Sequence, residues 1–145
     1  RHTRYISVTG VQTCALPIFD VTRIAGTTFS LAECESARTA MVGFGANVAA
    51  CVTRDNDGRS PYQIAVLNSG RMTKINRTTT GSLSECIDTL KTVRPYSPVA
   101  LICGSRDNDG RSPYTAVRID LATATSQGGS ESFTTKEACQ AFIRQ

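Results

Sequence analysis

The sequence predicts an α+β protein organised as a tandem repeat of about 52 residues, each unit a small antiparallel β-meander followed by one helix and stapled by a disulfide. Three observations predict it. The nonapeptide Arg-Asp-Asn-Asp-Gly-Arg-Ser-Pro-Tyr stands at residues 54–62 and again, unchanged, at 106–114. The cysteines keep step with it: Cys51 and Cys103, like Cys34 and Cys86, share its shift, and Cys139 follows Cys86 after one residue more. Each unit also carries a helix-start pattern, Ser30 with Glu33, Ser82 with Glu85 and Thr134 with Glu137, which fits the S/T-x-x-E capping box.

The elements follow in order within each unit. Residues 48–51 and 99–103 are apolar and β-prone, and each stretch runs into Asp-Asn-Asp-Gly, whose residues tolerate the positive φ of a tight turn. A second strand is expected at 62–67 and at 114–121. In the middle unit Asn68-Ser69-Gly70 turns the chain into a short third strand at 72–75, a turn signal that the last unit lacks. Leu83, Cys86, Ile87, Leu90 and Val93 then fall at helical spacing and make one apolar stripe. Pro95 and Pro98 close that helix and open the next strand. One helix on so small a sheet buries too little apolar surface by itself, so neighbouring units are expected to pack on one another. The layout is a truncated unit at 19–50, a full unit at 51–102 and a C-terminal unit at 103–145.

Residues 1–18, RHTRYISVTGVQTCALPI, resemble a short-read sequencing-library adapter translated in one frame. Residues 1–4 match one arm and 8–18 the other. The stretch lacks the unbroken apolar core and small-residue cleavage site of a targeting leader. The resemblance marks it as an adapter-derived artefact outside the fold. It carries the only histidine, His2, and Cys14, so five cysteines remain beyond it.

The whole chain has 145 residues, a net charge of +4, 40% hydrophobic and 19% charged residues, enough for one compact domain or at most two. No run of about 18 apolar residues occurs, which excludes a spanning helix. Positive charge is spread along the chain with no Lys/Arg block, which argues against a nucleic-acid surface.

Cysteines at repeat-equivalent sites read as a disulfide framework. Two connectivities respect the repeat. In one, each strand cysteine joins the helix cysteine of its own unit, Cys51 with Cys86 and Cys103 with Cys139, and Cys34 is left unpaired by truncation. In the other, Cys34 joins Cys51 and Cys86 joins Cys103, which strands Cys139. The first is preferred because the truncation already inferred explains the odd count. Bridges of this kind persist in oxidising surroundings, so the periplasm, the cell surface or the medium is expected. A zinc site is disfavoured, since no Cys-x-x-Cys pair and no histidine are available beyond residue 18.

The same missing histidine argues against Ser-His or Cys-His catalysis, and no Gly-rich phosphate loop follows a strand. A non-enzyme is expected, with a small hydrolase as the lesser alternative. Asp55-Asn56-Asp57-Gly58, and its copy at 107–110, resembles the acidic half of an EF-hand-like loop. Calcium at Asp55, Asp57, Asp107 and Asp109 would make the chain a calcium-dependent adhesion or matrix module. Against it, Thr53 and Ser105 stand where the loop's first Asp belongs, no Glu closes the loop, and Arg54 and Arg59 flank the acids. No other cofactor is implied.

The nonapeptide is retained beyond what a turn requires. It reads either as a hairpin in which tyrosines pack beneath the turn and arginines pair with its acids, or as a recognition patch of Arg54, Asp55, Asp57, Arg59 and Tyr62, repeated as Arg106, Asp107, Asp109, Arg111 and Tyr114. Two linked patches would raise avidity for a cell-surface polymer or protein without new contacts. Asn76-Arg77-Thr78 is a glycosylation sequon that matters only in a eukaryotic secretory pathway. The sequence therefore points to an extracytoplasmic, non-enzymatic binding or structural module.

Overall fold

The computed structural model describes residues 5–8, 11–14, 42–44, 47–55, 59–68, 71–93 and 97–145. Within the adapter-like segment, β1 (Tyr5–Val8) and β2 (Val11–Cys14) pair antiparallel as a two-stranded sheet of their own. The described α+β body consists of two further antiparallel sheets and two helices. One sheet has the order β3 (Val42–Phe44), β4 (Asn47–Thr53), β5 (Tyr62–Asn68), β6 (Arg71–Lys74). It is followed by α1 (Leu83–Lys91). The other has the order β7 (Val99–Ser105), β8 (Tyr114–Asp120), β9 (Thr125–Gly128), followed by α2 (Lys136–Ile143).

Strand pleating decides what each face buries, because alternate residues point to opposite sides. On β4 and β5, Cys51 lies opposite Ile64 and Ala49 opposite Val66, and this face packs beneath α1. Cys86 and Leu90 of α1 are fully buried there, and Val93, just past the Thr92 C-cap, remains buried as the stripe predicts. On β7 and β8, Ile102 lies opposite Val117 and Ala100 opposite Ile119. That face joins the same core as Cys86, Leu90 and Val93. Cys103 points the other way, toward α2. The layers thus run sheet, α1, sheet, α2, and one continuous core spans both sheets.

Each sheet is bolted to the helix that follows it. Cys51 is bonded to Cys86, with Cα atoms 6.1 Å apart, and Cys103 to Cys139, at 5.9 Å. Cys34 lies outside the described residues, as does the Ser30–Glu33 pattern. The approach of the Arg77 loop to the second sheet requires glycine at residue 104, whereas at residue 128 a side chain would only displace the movable end of Arg77. A Cβ on Gly104 would collide with the Arg77 carbonyl oxygen, and one on Gly128 with the Arg77 guanidinium.

One expectation is corrected. The cap of α2 is Thr135, not Thr134: the Thr135 hydroxyl accepts from the Ala138 amide at 3.1 Å, while the Thr134 carbonyl accepts from the Ser112 hydroxyl at 2.9 Å. The longer spacing from Cys86 to Cys139 carries the cap with it, so Thr135 stands where Ser82 caps α1 and accepts from the Glu85 amide at 3.2 Å. The third strand after residue 121 forms as β9, without an Asn-Ser-Gly turn. Its turn is closed by the Asp120 carboxylate, which accepts from the Ala122 and Thr123 amides, with Ala124 at φ +57.

Candidate functional site

The charged turn at residues 106–113 is described in full and is built around one hydroxyl. Ser105, buried at the end of β7, donates to Asp109 Oδ1 at 2.6 Å and accepts from the Asp109 amide at 3.2 Å. The same carboxylate oxygen accepts from the Arg111 amide at 3.0 Å. These bonds favour the ionised form, so the Ser105 hydroxyl first and the Arg111 amide second hold the Asp109 carboxyl below its ordinary range. Asn108 at φ +57 and Gly110 at φ +78 supply the left-handed conformations that carry the chain round. The ends of the turn are held by the Arg106 amide donating to the Pro113 carbonyl at 2.9 Å, as Arg54 does to Pro61.

Of the arginines in the proposed patch, Arg54 pairs with the neighbouring Asp55 at 3.2 Å and Arg106 with Asp107 at 3.4 Å. Arg59 and Arg111 are exposed. Asp57 lies outside the described residues. Tyr62 and Tyr114 are half-buried and tie the turns to the segments that lead into the helices, through backbone bridges to Thr80 and Phe133.

The residue that the patch reading missed is Asn108. Its side-chain oxygen accepts from the Arg77 amide at 2.6 Å, the Thr79 hydroxyl at 2.6 Å and Gln63 Nε2 at 3.2 Å. Its backbone carbonyl accepts from Arg54 Nη1 at 3.0 Å. The second turn is therefore seated on the preceding sheet and on the loop before α1, with the first copy's Arg54 reaching across to it. Gly110 sits equally close, since a Cβ there would come within 3.2 Å of Gly81 N. The signal was present in the sequence: Asn56 and Asn108 are identical in the two copies, although Asp or Gly would also suit a turn.

Chemically the site is a charged, hydrogen-bonded ridge. Among the described residues no group of three or more His, Cys, Asp or Glu side chains is placed to hold a metal ion. Asp109 already directs one carboxylate oxygen inward to two donors, the Ser105 hydroxyl and the Arg111 amide, so its other oxygen is the one left to meet a ligand. Among the described residues no helix is long and apolar enough to cross a membrane. No protein-family model, curated protein or solved structure matches the chain.

Proposed function

We propose that this chain is a tandem-repeat protein of an extracytoplasmic compartment, non-enzymatic, in which the nonapeptide joins neighbouring units and presents charged side chains to a partner on the cell surface. The observation that carries this reading is the bond from Arg54 to the Asn108 carbonyl, which sets the two turns side by side. In the array, the inward groups of each turn, Asn108 foremost, seat it on the unit before. The outward groups, Asp55, Arg59, Asp107 and Arg111, then form one ridge with a fixed spacing. Two disulfides in so small a body fit an oxidising environment. An inner half that joins units and an outer half that meets a partner would account for repetition of the whole nonapeptide.

The test is a double variant, Arg59→Ala with Arg111→Ala. Exposed substitutions of this kind change stability by within about 0.5 kcal/mol. The variant is expected to melt with the wild type while losing retention on a cell-envelope fraction. Equal retention, or a loss of melting temperature without any retention by the wild type, would remove the recognition role and leave a structural module. A calcium-dependent rise in melting temperature, abolished by Asp109→Asn, would instead select the calcium-dependent alternative.

A further inference from the structure

Between α1 and α2 runs a groove of about 380 Å³, floored by Leu101, Ile102 and Cys103. Consecutive strand residues point to opposite faces, so a groove that touches all three runs along the edge of β7. That edge is open among the described residues, where the sheet order is β7-β8-β9. The Leu121 amide donates to Pro98 O and the Arg106 amide to Pro113 O, at the two ends of the β7–β8 ladder. Counting inward by twos, Ala100, Ile102 and Gly104 bond to β8, and the amides and carbonyls of Leu101 and Cys103 face outward.

The same chain shows what belongs on such an edge. β4 stands to its sheet as β7 does, and its outer edge is covered by an extended segment, β3, with Val42 opposite Ala49 and Phe44 opposite Asn47. Ala49, fifty-two residues before Leu101, is 0% exposed, whereas Leu101 is 55% exposed. The stretch that would copy β3 reads Arg94-Pro95-Tyr96, and Pro95 has no amide to give a ladder.

We infer that the β7 edge is a docking site for an extended peptide segment of a partner protein, which adds a strand beside Leu101. The groove walls specify the peptide's chemistry. Glu85 and Asp88 lie on the α1 side, and Lys136, Ile143 and Arg144 on the α2 side, where Leu101 also points; Lys136 Nζ meets Glu85 Oε2 across the groove at 3.9 Å, a solvent-accessible pair that the added strand must part. An added strand sends alternate side chains to the two walls, so one set is basic and the other apolar or acidic. A second copy of the chain fits less well. Edge-to-edge antiparallel pairing about a two-fold axis keeps each face on its own side, setting acidic wall against acidic wall and basic against basic.

The probe is a fluorescein-labelled hexapeptide, Lys-Val-Lys-Glu-Lys-Val, titrated against the full chain by fluorescence anisotropy, with amide exchange followed by NMR. The expected result is saturable binding with slowed exchange at the Leu101 amide. Methylation of the peptide's alternate backbone nitrogens that face β7, and separately Leu101→Pro, should each weaken binding by about tenfold or more. Proline is tolerated where an edge amide faces outward, and a melt checks that the variant is folded. Leu101→Ala, which keeps the amide, should retain the slowed exchange. Equal binding of the methylated peptide, absence of binding, or unchanged exchange at Leu101 would overturn the proposal. So would a dimer in sedimentation that Leu101→Pro dissolves.

Discussion

Asn108 shows how much a single side chain decides in this protein. One carbonyl oxygen receives the Arg77 amide, the Thr79 hydroxyl and the Gln63 carboxamide, and it does so from a left-handed backbone conformation that Asn accepts readily. Asn108→Gly keeps the conformation and deletes the acceptor. Because partners left without a hydrogen bond cost more than the bond contributes, this variant should lose about 2 to 3 kcal/mol in denaturant melts, whereas Asp107→Gly, at an exposed ion pair, should lose less than about 1 kcal/mol. Asp109 gives a pH prediction. Its folded carboxyl is held below the ordinary range, so its contribution is present above the unfolded value and is lost as pH falls through the folded one. Ser105→Ala removes the largest cause, and the Asp109 carboxyl titration followed by NMR should move upward; an unchanged midpoint would contradict the assignment.

The two helices start by one device placed one residue apart relative to the nonapeptide. Ser82 and Thr135 each accept an amide three residues on, and each precedes a helix whose cysteine is pinned to the sheet. Ser82→Ala and Thr135→Ala should each cost about 1 kcal/mol, measured by urea unfolding, while Thr134→Ala, which leaves the Thr134 carbonyl in place, should stay within about 0.5 kcal/mol. The pattern S/T-x-x-E picked Ser82 correctly and Thr134 wrongly for a physical reason. Glu85 sits three residues after its cap, but Glu137 sits only two after Thr135, so the acid assists the helix N-terminus there without completing a capping box. Strands were legible where apolar runs met Asp-Asn-Asp-Gly. β9 was less so, because Asp120 closes its turn with a side chain and Ala124 supplies a conformation that its residue type does not announce.

At the scale of the molecule, a single core joins both sheets, with Ile102, Val117 and Ile119 of one packed in the same cluster as Cys51, Ile64 and Val66 of the other and Cys86 and Leu90 of α1. Removing one bridge should therefore weaken the whole described body rather than one half. Cys103→Ser with Cys139→Ser opens a loop with a sequence separation of 36 and should cost about 3 to 4 kcal/mol. Amide exchange should accelerate at Ile64 on β5 as well as at Val117 on β8. Acceleration confined to β7–β9 and α2 would show that the sheets unfold independently. Turn residues, apolar runs and helical spacing by themselves determined the α+β class and most of the strand and helix order, because each is a local property of a short stretch of chain, while cysteine spacing left two connectivities between which the structure decided. Only the tertiary structure decided that Asn108 is a joint as well as a turn residue, that Gly104 leaves room for the Arg77 carbonyl, and that among the described residues no further strand lies beside β7. Each of those depends on which distant segments meet: Asn108 reaches Gln63 across 45 positions and Arg54 across 54, where no local pattern reaches.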